Sequence, residues 1–334
     1  MVEPLFTVAD LLAAASQGGI PILSENRRQA RPKARASGIA NCARQIAYYM
    51  TNTPETDEGR ADSSITTEQG RIMEDLSIKL IENIPGKNFK VGDRQVNLPD
   101  DYPLTGHPDG SIFNLYQELA DRDKEEEEVW RNFDNEGLVW GFEHKHLGRW
   151  AYEAVFKKGL EAAEPGYLAQ AIAYADGLGW DAVMWVIMAQ DASSTNSDAT
   201  ANLRAKKPEI RWATRPDWNP KYQVYAMDMR PYKDTLAKRI RHRAEWFMRF
   251  AEAYQAPETE SVAADDVMRE YDAESLSKST YQVADDGKTI ERVEGPQFPC
   301  SHCSWLTRCL EVGQGTIAAP ELPLKVGDEA IGVE

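Results

Sequence analysis

The sequence predicts an α/β domain built on a mixed central sheet. Three observations predict it. Segments of helical period come first, followed by three strands, two helices, two strands and a long helix. The longest uninterrupted apolar run, Ala182 to Ala189, has the composition of a buried strand. Residues 138–147 read as a strand whose alternate positions carry charge. With 334 residues, 42% of them hydrophobic, there is material for a sizeable core in one large domain or two ordinary ones.

Taken in order, Thr7-Val-Ala-Asp10 is a capping box for a short helix ending near Gly18-Gly19. Residues 25–37 are a basic loop, and 38–50 a helix carrying Cys42. Residues 66–83 form a longer amphipathic helix, with Ile72, Met73, Leu76, Ile78, Leu80 and Ile81 as its apolar face. The period then changes. Phe89 to Leu98 alternates loosely as a strand, and Leu104 to Phe113 is a second, interrupted at Pro108-Asp109-Gly110. The acidic stretch 117–136 is an exposed excursion before the strand 138–147. Helices at 150–163 and 166–178 are divided by Pro165-Gly166. A buried strand follows at 181–190 and a polar loop at 191–203. An edge strand at 222–229 and an amphipathic helix at 231–257 complete the core. Residues 258–298 are irregular and 311–334 an acidic tail. The divisions are 1–65, 66–257, 258–310 and 311–334, and the two cysteine-bearing flanks are expected to pack together as an accessory lobe.

No apolar run approaches the roughly 20 residues of a membrane span, and no basic leader precedes an apolar stretch. A soluble, cytoplasmic protein is expected. A net charge of −16 repels phosphate on average. Its distribution is uneven: Arg27, Arg28, Arg31, Lys33, Arg35 and Arg44 lie in a stretch without an acid. Further basic stretches run from Arg204 to Lys221 and from Lys233 to Arg243. Such patches suit a phosphate backbone, or are simply solvated faces.

Four cysteines are unevenly placed: Cys42 alone, then Cys300, Cys303 and Cys309 as Cys-x-x-Cys-x5-Cys. Four thiolates with three clustered point to one metal site rather than to disulfides.

The strand at 138–147 carries Glu143-His144-Lys145, with Glu143 and Lys145 on one side and Phe142 and His144 on the other. Asp109 precedes it in a Gly-x-x-Asp turn and Glu74 lies on the earlier helix. These three acids offer hard oxygen ligands suited to Mg²⁺ or Mn²⁺. Gln170 and Tyr174 stand at i and i+4 on one helix face, with Tyr167 before them. Glu-x-Lys alone is an ordinary polar strand edge, and Asp109 alone an ordinary turn residue. His107 and His146 fit structural or solvent-facing roles.

Together, Glu74, Gly-x-x-Asp109, Glu143-x-Lys145 and Gln170-x-x-x-Tyr174 resemble, in order, the motifs of the PD-(D/E)XK nuclease superfamily, RecB/AddB branch. The cysteines resemble the iron–sulfur staple of AddB and of CRISPR-associated RecB-like exonucleases, a phage-encoded member included. Glu74 stands where many members carry His. The resemblance covers roughly residues 38–310 and implies a restriction-endonuclease-like sheet flanked by helices, with an iron–sulfur lobe made by the N- and C-terminal segments. It implies hydrolysis of DNA, single-stranded or end-bearing, by an exonuclease. Asp109, Glu143, Glu74 and the His144 carbonyl would hold the divalent ion, and Lys145, Gln170 and Tyr174 would complete the catalytic set. Cys42, Cys300, Cys303 and Cys309 would hold a 4Fe–4S cluster. Zinc is the alternative, although structural zinc usually pairs two Cys-x-x-Cys knuckles. Trp305 reads as packing beside the cluster.

Arg35, Arg44, Tyr167 and Gln170 are expected on DNA, with Tyr48, Tyr49 or Trp150 stacking on bases. A second expectation, of another class, is a DNA-binding or adaptor subunit working with recombination or CRISPR spacer-acquisition proteins, its nuclease activity secondary.

Overall fold

In a computed structural model, the described residues are 32–57, 62–83, 89–92, 96–114, 139–189, 222–255, 262–270, 279–283, 290–294, 300 and 303–322. The expected helix at 7–19, the acidic stretch 117–136, the loop 191–203, the basic stretch 204–221 and Arg27, Arg28 and Arg31 lie outside them. The helices are α1 (Ala43–Met50), α2 (Asp62–Glu82), α3 (Arg149–Lys158), α4 (Leu160–Ala163), α5 (Pro165–Leu178), α6 (Arg230–Lys233), α7 (Leu236–Gln255) and α8 (Leu306–Val312). The main strands are β1 (Phe89–Gly92), β2 (Gly110–Asn114), β3 (Trp140–Leu147), β4 (Ala182–Ala189) and β5 (Tyr222–Asp228), followed by the pair β6 (Ser279–Val283) and β7 (Ile290–Glu294).

The chain divides into two compact units. One, the sheet unit, contains residues 35–40 and 66–242; the other, the cysteine unit, contains 41–65 and 243–321. The sequence places a boundary at 257; the division here falls at 243, within α7, where Arg243 bonds the Asn41 and Pro320 carbonyls of the cysteine unit. The expected tail also begins later. Residues 311–321 belong to the cysteine unit, and the Pro320 carbonyl accepts from Arg243.

In the sheet unit the strands stand in the order β1-β2-β3-β4-β5. β3 pairs antiparallel with β2 and parallel with β4, and the outer pairings are antiparallel. The sheet is thus mixed and flanked by helices. The single parallel pairing requires a crossover, which α3, α4 and α5 provide. β3 is central, so both of its faces must be covered.

One face meets α2. Ile78 and Ile81 of that helix pack with Val91, Ile112, Phe142, Val186 and Met188. The apolar face read from the sequence is half right. Ile72, Leu76 and Leu80 are 51%, 39% and 48% exposed, because they form a separate i, i+4, i+8 row turned away from the sheet. The middle of the buried face is instead Ser77, 1% exposed. Its hydroxyl donates to the Met73 carbonyl at 2.9 Å and lies 3.0 Å from His144 Nδ1.

The other face meets α5, whose residues Leu168 to Ala175 are all buried. A helix apolar on every side belongs in a core. Gly141 of β3 lies on this face, and a Cβ there would stand 1.9 Å from Trp180 Cε3. The ring, only 2% exposed, has no room to retreat.

In the cysteine unit, Arg44 and Arg243 are each 1% exposed. Arg44 donates to the carbonyls of Val267, Asp265 and Gly313 at 2.8, 2.9 and 2.5 Å. Arg243 donates to the Asn41 carbonyl at 2.9 Å and pairs with Glu270. Tyr48 packs on Trp305 with ring centroids 5.7 Å apart. Arg308 pairs with Asp265, which also accepts from the Tyr48 hydroxyl. No helix among the described residues is long and apolar enough to cross a membrane.

The Gly141–Trp180 contact makes a direct prediction. Gly141→Ala should lower the urea midpoint by an amount equivalent to about 1–3 kcal/mol, the usual cost of overpacking. Combining it with Trp180→Leu should recover part of that loss. An unchanged midpoint in the single variant would contradict the contact.

Candidate active site

Strand β3 brings the site together. Its alternation places Phe142 and His144 toward α2, and Glu143 and Lys145 toward α5. Gly110 of β2 pairs with Phe142, so Asp109, one residue earlier, arrives beside Glu143. Asp109 Oδ2 accepts from the His144 amide at 2.6 Å. The resemblance implies a metal-ligand role for the His144 carbonyl; the bond to Asp109 is made by the N–H of the same residue. Its imidazole faces Ser77, and burial, then Lys145 and His146, lower its pKa to about 3. His144 is therefore neutral.

Lys145 Nζ donates to Glu143 Oε2 at 2.6 Å, and Gln170 Nε2 donates to the same oxygen at 3.3 Å. Gln170 and Tyr174 meet at 3.4 Å, and the Tyr174 hydroxyl donates to the His107 carbonyl at 3.1 Å. Tyr174 thus ties α5 to the turn that delivers Asp109. The turn needs Gly106 for this. A Cβ at that position would stand 2.8 Å from the Tyr174 hydroxyl and from its Cε1. Tyr167 places its ring under Lys145 Nζ, 5.2 Å from the centroid. Glu74 is half-buried on α2, close enough for its charge to act on Glu143.

Glu143 is 1% exposed. Burial is the largest influence on its carboxyl. Lys145 pulls the pKa down, Asp109 and Glu74 push it up, and the balance stands at about 8. Burial opposes the Lys145 charge, but Glu143 and Asp109 overcome it and hold its pKa above the ordinary lysine value. Glu143 Oε1 is buried and has no hydrogen-bond partner among the described residues. A carboxylate oxygen stranded in that way is costly, and a cation would satisfy it. Among the described residues, no three His, Cys, Asp or Glu side chains form a ready-made metal group. The acids sense one another without closing a cage.

The four cysteines all belong to the cysteine unit, and each is a partly buried free thiol. Burial raises the pKa of Cys42. Burial raises Cys300 too, with Cys42 and Cys309 adding to it, and carries Cys303 to about 11 with all three of the others contributing. The thiols are therefore electrical neighbours. Arg44 Nη1 donates to Cys309 Sγ at 3.6 Å.

Several expected DNA contacts fall away. Arg44 is buried and its donors are engaged inside the cysteine unit, so phosphate cannot reach it. Tyr48, 1% exposed against Trp305, cannot stack on a base. Arg243 leaves the third basic stretch for the same reason as Arg44. Arg35 is exposed. Tyr49 is half-buried, and the side chain of Trp150 lies outside the described residues. Gln170 is 9% exposed and bonded to Glu143 and Tyr174. Sequence reasoning missed Ser77, Gly141 and Trp180, none of which carries a local signal, whereas Gly106 was visible in its Gly-x-x-Asp turn.

A group whose folded pKa is raised stabilises the fold below its unfolded pKa, and that contribution is lost as pH rises through the folded value. For Glu143 the window runs from the ordinary carboxylate range to about 8. In chelator, stability should fall across it with a slope of up to about 1.4 kcal/mol per pH unit, the linkage value for one proton. Glu143→Gln should flatten that slope in urea titrations; an identical slope in both proteins would remove the assignment.

The chain matches no known family profile, no curated protein and no solved structure.

Proposed function

We propose that this chain is a divalent-metal-dependent deoxyribonuclease on a restriction-endonuclease-like sheet, acting on single-stranded or end-bearing DNA. The observation that carries the reading is Glu143: a buried carboxylate with one oxygen held by Lys145 and Gln170 and the other without a partner among the described residues. The ordered resemblance of Glu74, Asp109, Glu143-x-Lys145 and Gln170-x-x-x-Tyr174 to a nuclease motif set supports it.

Asp109, Glu143 and Glu74 would hold Mg²⁺ or Mn²⁺, with the His144 carbonyl as a further oxygen donor. Hard carboxylate oxygens fit those ions. When bound, such an ion supplies Lewis-acid polarisation of the phosphodiester. The chain's own residues do the rest. Lys145 keeps its charge and offers a compact ammonium to the phosphate as negative charge develops there. Gln170 fixes Glu143 through Oε2. Tyr174 holds the His107 carbonyl, and with it the turn that carries Asp109.

The same proposal places a 4Fe–4S cluster on Cys42, Cys300, Cys303 and Cys309. What supports it is that the four thiols are electrical neighbours, Cys42 and Cys309 raising the pKa of Cys300 and all three raising that of Cys303; among the described residues they form no ready-made metal group, and a bound cation would favour their thiolates. Its role would be structural, joining the two ends of the chain within the cysteine unit.

End-labelled single- and double-stranded DNA incubated with Mg²⁺ or Mn²⁺ should be degraded, and chelator should stop the reaction. Lys145→Ala should reduce the rate by about 100-fold or more; cleavage at the native rate would sink the catalytic assignment. Protein purified anaerobically should be brown and hold about four irons per chain, and Cys303→Ala should lose them. One zinc per chain without iron would replace the cluster with a zinc site.

A further inference from the structure

We propose that Tyr167 positions the Lys145 ammonium, its ring face holding the charge beside Glu143 rather than its hydroxyl touching DNA. The inference rests in part on the nuclease reading, since it assigns Tyr167 to the machinery of that same site. The geometry itself does not depend on it.

A lysine side chain has four flexible methylenes and three rotatable N–H donors. One donor direction is fixed by Glu143 Oε2 at 2.6 Å. That bond alone leaves the stem free to swing about the carboxylate. The Tyr167 ring supplies a second restraint: Nζ lies 5.2 Å from its centroid, within the range where a cation is drawn to an aromatic face. The Lys145 side chain is only 14% exposed, so water competes weakly for its charge. Tyr167 is well held for this task. It lies in the first turn of α5, opened by Pro165, and its amide bonds the Glu164 carbonyl at 3.0 Å.

The helix period explains the arrangement. Tyr167, Gln170 and Tyr174 are spaced i, i+3, i+7 and share one face of α5. That face delivers a ring to Lys145, an amide to Glu143 and a hydroxyl to the His107 carbonyl. One rigid helix therefore sets all three parts of the site. Because the ring acts through its face, phenylalanine should replace tyrosine and leucine should not.

The test uses the full chain with ¹³C-labelled lysine. The Lys145 ε-methylene signal is found as the one missing in Lys145→Arg. Ring current should shift it upfield in the native protein and in Tyr167→Phe, and it should return to the ordinary lysine position in Tyr167→Leu. With DNA and Mg²⁺, Tyr167→Leu should lower kcat about 2- to 30-fold at constant KM, while Tyr167→Phe stays within about twofold of native. An unmoved Lys145 signal in the leucine variant overturns the proposal. So does a phenylalanine variant as impaired as leucine, which would assign the hydroxyl, or a rise in KM alone, which would return Tyr167 to DNA contact. If the native protein cleaves no DNA, the nuclease reading fails and the Lys145 signal alone decides this one.

Discussion

A buried acid–ammonium pair governs the sheet unit, its acid ionised only above about pH 8 in the absence of a cation. Lys145 Nζ and Glu143 Oε2 stand 2.6 Å apart, with only 14% and 1% of the two side chains exposed. Removing two charges from water costs several kcal/mol per ion, and mutual attraction recovers that only when further bonds are made. Here they are made incompletely. Gln170 and the Tyr167 ring help, but Glu143 Oε1 is unsatisfied among the described residues, with Asp109 and Glu74 nearby to worsen the repulsion. An apolar pair would serve stability better. In the proposed reading, a cation among these acids would resolve both the stranded oxygen and the crowding of charge.

The surrounding structure keeps that pair in place. Gly106 lets Tyr174 approach the Asp109 turn, and Gly141 lets Trp180 close over the strand. On the opposite face of β3, the Ser77 hydroxyl lies 3.0 Å from Nδ1 of a neutral His144 and 3.2 Å from Met188 Sδ. A protonated imidazole there would add a positive charge beside Lys145, and burial prevents it. The cysteine unit follows a different logic. Its segments are distant in sequence, and Arg44 and Arg243 join them by donating to backbone carbonyls of several of those segments. Guanidinium suits this task because its five donors fan out in one plane.

Some of this was legible in the chain. Strict alternation in a strand decides which residues share a face, so the pairing of Glu143 with Lys145, and of Phe142 with His144, followed from the order of residues alone. Helix spacing did the same for Gln170 and Tyr174. The strands at 182–189 and 222–228 were visible as an apolar run and an alternating edge. The failures have a common cause. Arg44 and Arg243 look like surface charges until distant carbonyls surround them, and Ser77 looks like the polar side of a helix until it meets His144. Leu76 and Leu80 look like core but face outward.

The amino-acid sequence by itself determined the local periods, the order of elements along the chain and which side chains share a face of one strand or helix, because these depend on neighbours a few residues apart. Tertiary structure decided which polar groups are buried, which carboxylate oxygen is left without a partner, and where the long helix changes from one unit to the other. Those outcomes depend on contacts between residues far apart in the chain, such as Arg44 with Val267 and His144 with Asp109. No local pattern encodes a partner that only folding brings near.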